Sequence, residues 1–113
     1  MHKPQIYIAG PMSGIKDHNK PAFIEGEKEM IALFQEKGGC HIFNPISHEA
    51  SLMVQNGLVR DTQTAYRMCM GIDCNYLCKT ATHIYMLRGW EQSKGAMAEW
   101  TLAKCLDLMI LYQ

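Results

Sequence analysis

The chain has 113 residues, balances 11 Lys plus Arg against 11 Asp plus Glu, and is 48% apolar. That length holds one cored domain, residues 1–113, and its balanced charge gives no field for a nucleic-acid polymer or a membrane surface, so a small-molecule partner is expected. With no apolar run near the roughly 20 residues of a spanning helix, and neither the basic flank nor the apolar core of a signal peptide, the expected location is cytoplasmic.

Gln5 to Ala9 reads as a first strand, ended by the turn Gly10-Pro11-Met12-Ser13-Gly14, which continues neither a helix nor a central strand. After Asn19 and Pro21, the segment from Ala22 to Glu36 sets Phe23, Met30, Ile31 and Phe34 among charged residues at helical spacing, and Gly38-Gly39 stops it. His41 to Phe43 is a short strand ended by Asn44-Pro45, and Ser47 to Gln55 is a brief helix candidate before the turn Asn56-Gly57. Thr62 to Lys79 is a helix with Asp73 inside it, His83 to Leu87 a strand ending at Arg88-Gly89, Ser93 to Leu106 the last helix, and Leu108 to Leu111 a terminal strand. The order βαβααβαβ predicts an α/β fold: a small Rossmann-like parallel sheet of about four strands flanked by helices. So small a sheet leaves helix surface to cover, which motivates the expectation of a homo-oligomer, a dimer or higher.

The five cysteines cannot all pair within one chain. Cys69, Cys74 and Cys78 share one helix without a CxxC or a companion cluster, and the five histidines include no HExxH. These residues read as packing groups and individual side chains, so no metal is expected.

In such a sheet, ligands bind beyond the carboxyl ends of the strands. The first such loop, Gly10 to Gly14, lets a ligand approach the backbone closely, yet it is neither the GxGxxG of a dinucleotide site nor a phosphate loop ending in GKS/T, so no nucleotide cofactor is expected. The second, Gly89-Trp90-Glu91-Gln92-Ser93-Lys94-Gly95-Ala96-Met97-Ala98-Glu99, puts a hydroxyl at a helix entrance and a carboxylate one to two turns inside. Ser93 can cap the helix or meet a phosphate. Glu99 can be a solvated surface group or face the crevice, Asp73 interrupts an apolar helix between Ile72 and Cys74, and Tyr7 can be core or direct its hydroxyl into the crevice. Trp90 has two readings, stacking on a base or packing beside the loop.

Together, Tyr7-Ile8-Ala9-Gly10-Pro11, Asp73 and the segment from Gly89 to Glu99 resemble the small, often phage-encoded DUF4406 branch of the nucleoside 2-deoxyribosyltransferase-like superfamily, which includes 2'-deoxynucleoside 5'-phosphate N-hydrolases. The resemblance covers nearly the full chain, and for a phage protein it places the activity in the host cytoplasm. It implies Glu99 as the nucleophile at the anomeric carbon, Asp73 as the aspartate that positions substrate and assists proton movement, and Tyr7 as the tyrosine orienting the carboxylate. It further implies Ser93 as a ligand of the 5'-phosphate, with Gly10, Pro11, Met12, Ser13 and Gly14 lining that end and Gly89, Trp90 and Gly95 in the second loop. The nucleotide-hydrolysing members tend to carry an arginine in the opening loop, where this chain has Ser13.

An N-glycosidic bond breaks through a cation-like sugar, so one carboxylate to trap it and one acid to protonate the base suffice, without a cofactor. The expected activity is hydrolysis of a deoxyribonucleoside 5'-monophosphate. The alternatives are transfer of deoxyribose between bases and a non-catalytic nucleotide-binding or protein-interaction module.

Overall fold

The computed structural model describes residues 3–47 and 62–113. The brief helix expected from Ser47 to Gln55 and the turn Asn56-Gly57 lie almost wholly outside them; Ser47 itself closes a short 3-10 turn, Pro45–Ser47.

Four strands, β1 (Gln5–Ala9), β2 (His41–Phe43), β3 (His83–Met86) and β4 (Met109–Tyr112), form one sheet in the order β2-β1-β3-β4. Every pairing is parallel, with Tyr7 beside Phe43 on one side and Ile84 on the other. Helix α1 (Lys20–Phe34) links β1 to β2, α2 (Thr62–Lys79) precedes β3, and α3 (Lys94–Cys105) links β3 to β4. The chain is therefore a small Rossmann-like α/β domain, as its periodicity predicts.

Side chains alternate across β1, so the sheet carries two cores. Ile6 and Ile8 pack with Phe23, Met30 and Phe34 of α1, while Tyr7 and Ala9 pack with Leu77 of α2 and Ala96 and Ala103 of α3. Burying each large side chain of the α1 stripe stabilises the fold by about 1.5–3 kcal/mol. Ile31 departs from the expected apolar face and is 49% exposed. One residue of helix turns it about 100° from Met30, away from the stripe of Phe23, Met30 and Phe34. Gly26 completes that stripe, because a Cβ there would stand 2.6 Å from Leu87 Cδ2.

Several boundaries differ from expectation by one or two residues, and two of the starts have a visible cause. The helix begins at Lys20, after a 3-10 turn, Lys16–Asn19, in which Asp17, His18 and Asn19 take left-handed φ values of 54°, 53° and 61°. Asn19 Nδ2 donates to the carbonyl of Pro11 at 2.9 Å, tying this turn to the loop after β1. The last strand starts at Met109 because the Leu108 N–H donates back to the carbonyl of Ala103 at 3.0 Å, and Asp107 turns the chain with a φ of 58°. Among the described residues, no helix is long and apolar enough to cross a membrane.

Candidate functional site

The connection from β1 runs to β2 on one side, whereas β3 lies on the other side of β1. The loops leaving β1 and β3 part at that switch point, where α/β sheets open a crevice. A cleft of about 450 Å³ occupies it, floored by Tyr7 and Ile8 and walled by the loop after β1, one face of α2 and the entrance to α3.

Each candidate chemical group reaches the cleft from a different element. Tyr7 comes from the middle of β1 and is 1% exposed, Asp73 comes from α2 at 8%, and Glu99 from the second turn of α3 at 5%. The Tyr7 Oη–H donates to Glu99 Oε2 at 2.6 Å, a short, charge-assisted geometry when the carboxylate is ionised. The Asp73 carboxyl lies close enough to interact with the same hydroxyl, so one phenol stands between the two acids.

Burial governs their protonation. Glu99 is pushed up to about 8, first by loss of water around its carboxylate and further by the negative charge of Asp73, while the bond from Tyr7 opposes the shift. Asp73 rises to about 6 for the same first reason, again opposed by Tyr7. Tyr7 is held well above the ordinary phenol range by its burial and by the two acids, so it stays a donor at neutral pH. Between these values the acid pair retains about one proton, an arrangement suited to chemistry that needs an acid and a base in one place.

The entrance to α3 is built as the sequence predicts. Ser93 is its N-cap and accepts from the Ala96 N–H at 3.1 Å. Gly95 follows, with the Tyr66 hydroxyl oxygen 3.4 Å from where a Cβ would stand. Lys94 places a cation on the same rim.

Of the residues singled out from sequence, Tyr7, Gly10, Pro11, Met12, Ser13, Asp73, Ser93, Gly95 and Glu99 line the cleft. Gly14, Gly89 and Trp90 are not among its lining residues. Gly89 makes the left-handed turn out of β3, with a φ of 86°, and Gly14 turns likewise at 77°. The Trp90 ring lies 5.0 Å from that of Trp100 and 6.0 Å from that of Tyr112, which places it in an aromatic cluster beside the loop. Sequence reasoning missed Tyr66, Cys69 and Met70, which line the wall of α2. Their spacing of seven, four and three residues before Asp73 puts them on its helical face, and that period was the signal available. His18, brought in by the left-handed turn before α1, had no such signal.

Among the described residues no group of three or more His, Cys, Asp or Glu side chains is arranged to hold a metal ion, and all five cysteines are free thiols. The chain gave no significant match among curated proteins. Residues 4–112 match the family described as a domain of unknown function, DUF4406, and the chain belongs to that family.

Proposed function

We propose that this protein cleaves the N-glycosidic bond of a deoxyribonucleoside 5'-monophosphate, releasing free base and deoxyribose 5-phosphate, with Glu99 as nucleophile. The observation that carries the reading is the joining of Glu99, Asp73 and Tyr7 in one buried cluster that faces the cleft. The resemblance to the deoxyribosyltransferase-like superfamily supplies the substrate class, and the chemistry of the cluster is consistent with it.

In this mechanism a Glu99 carboxylate oxygen bonds to the anomeric carbon as the carbon–nitrogen bond breaks, and that electron pair leaves with the base. Asp73 delivers the retained proton to the base. Water then attacks the glycosyl ester, gives a proton to Asp73 and frees the Glu99 carboxylate. Tyr7 donates to Glu99 in its ionised form, which favours the carboxylate state that attack requires. The N-terminus of α3, with Ser93 and Lys94, and Ser13 of the opening loop offer the 5'-phosphate hydrogen bonds and positive charge. A base in place of water as acceptor makes the same intermediate a deoxyribosyl donor.

One observation favours a second assignment of the two acids. Burial holds both carboxyls above their ordinary range, so either can carry the shared proton, and the exchanged roles make Glu99 the proton donor and Asp73 the group facing the sugar. Trapping the covalent intermediate with a 2-fluoro sugar analogue and locating the label on Glu99 or Asp73 separates the two.

The direct test is chromatographic detection of free base from separate deoxyribonucleoside 5'-monophosphates and deoxynucleosides, with a folded Glu99→Gln control. Release that depends on Glu99 supports the proposal. Nucleotide-induced thermal stabilisation without release, even with acceptor bases added, replaces it with a binding role.

A further inference from the structure

Against Tyr7, outside the residues that line the cleft, stands an aromatic pair that the reaction itself does not use. The ring of Phe43, from the neighbouring strand β2, stacks on Tyr7 at 5.5 Å between centroids with an interplanar angle of 27°. Tyr76 of α2 closes on both, 4.5 Å from Phe43 and 6.3 Å from Tyr7. Phe43 and Tyr7 are paired in register, so their side chains leave the same face of the sheet side by side.

Tyr76 is also where α2 is fastened to β1. Its carbonyl accepts the N–H groups of Thr80 and Ala81 at 2.9 and 3.0 Å, which ends the helix. Its hydroxyl donates to Gln5 Oε1 at 3.3 Å, and Thr82 is bonded to the Gln5 backbone in both directions: its N–H donates to the Gln5 carbonyl and its Oγ1 accepts from the Gln5 N–H. Tyr76 lies three residues after Asp73, one helical turn away. A single side chain thus touches the ring that carries the Tyr7 hydroxyl and belongs to the helix turn that carries Asp73.

We propose that Tyr76 is a positioning residue of this site, clamping Tyr7 with Phe43 so that the one phenol hydroxyl reaches Glu99 while Asp73 is held within its range. Its catalytic consequence rests on the reading of the cleft as an N-glycosidase; its structural consequence does not. Removing the ring frees Tyr7 to tilt, and misplacement on the order of 1 Å costs about 100-fold in rate at a positioned group. Keeping the ring and removing only the hydroxyl leaves the clamp in place.

The experiment compares Tyr76→Phe and Tyr76→Leu in the full chain, with Phe43→Leu as a second route to the same loosening. The first readout is the Tyr7 hydroxyl proton in the ligand-free protein, a downfield NMR signal protected by its buried bond to Glu99 and assigned by its loss in Tyr7→Phe. It persists in Tyr76→Phe and disappears by exchange with water in Tyr76→Leu and Phe43→Leu. The second readout is steady-state base release: kcat falls about tenfold or more in the two leucine variants with KM within about twofold, and Tyr76→Phe retains the wild-type rate within about twofold. Leucine variants that fold and keep both the hydroxyl signal and kcat overturn the positioning role. A wild-type protein that releases no base refutes the glycosidase reading instead, and the hydroxyl signal then decides the positioning role by itself.

Discussion

Burial does more than any neighbour to set the chemistry of Glu99. Its carboxylate has lost most of its water, and the bond from Tyr7 only partly compensates. For the proposed reaction, Glu99→Gln keeps the shape and the hydrogen-bond acceptor but removes the nucleophile. Base release falls by about 10³-fold or more, while nucleotide binding, followed by calorimetry, persists. Tyr7→Phe removes one donor to a charged group, worth about 1.5–3 kcal/mol, so kcat drops about 10- to 150-fold. The working form of the acid pair holds one proton. The rate against pH is therefore bell-shaped, with limits near about 6 and about 8 that belong to the acid pair as a whole. A profile still rising at pH 10 is incompatible with a single shared proton.

Among the elements, α1 packs tightly against the end of β3 through Gly26. Gly26 meets Leu87 at 2.6 Å from an added Cβ, and Gly10 meets the same residue at 2.9 Å from its Cβ atom. Leu87 thus fills the space that both glycines leave, immediately after β3 and beside the cleft floor. Gly26→Ala gains helix propensity of about 1 kcal/mol but forces Leu87 or the helix to move, an overpacking cost of about 1–3 kcal/mol. A net loss of stability is expected, read as a lower urea midpoint with an unchanged m-value. Tyr66, Cys69, Met70 and Asp73 follow the same helical logic on α2, where one buried acid identifies the face that its apolar neighbours line.

At the scale of the whole molecule, two buried acids link stability to pH. Both have folded pKa values raised above their unfolded values, so folding is favoured while they are protonated. Their contribution is full below about pH 4 and is lost as pH rises through about 6 for Asp73 and about 8 for Glu99. Between pH 5 and pH 8 the wild-type protein should lose on the order of 5 kcal/mol of stability from these groups, and Glu99→Gln substantially less. Thermal melts across that range test the sign: a wild-type Tm that rises from pH 5 to pH 8 faster than that of Glu99→Gln contradicts it. The outer surface also bears on assembly. Ile24, Ile31 and Leu33 of α1 and Met109 and Tyr112 of β4 are 43–59% exposed. A homo-oligomer is the expected state, and a sedimentation mass equal to one chain removes that expectation.

Local sequence determined most of the elements and their order. Short apolar runs at Gln5 to Ala9 and His83 to Leu87, helical stripes closed by Gly38-Gly39, and a serine cap at Ser93 each act over a few residues, so the chain states them directly. It also marked Asp73, an acid interrupting an apolar helix, Tyr7 shortly before a Gly-Pro turn, and Glu99 one to two turns inside the last helix, with the family resemblance joining the three. Tertiary structure alone decided that these three meet. Tyr7 and Glu99 are 92 positions apart, and their 2.6 Å contact depends on the parallel order of the strands and on where α3 docks. It likewise decided that Trp90 turns to Trp100, that Ile31 faces outward and that Phe43 and Tyr76 pack against Tyr7. Periodicity fixes which residues share a face of one element; which face meets which across the sheet is set by packing between elements, where no short-range pattern reaches.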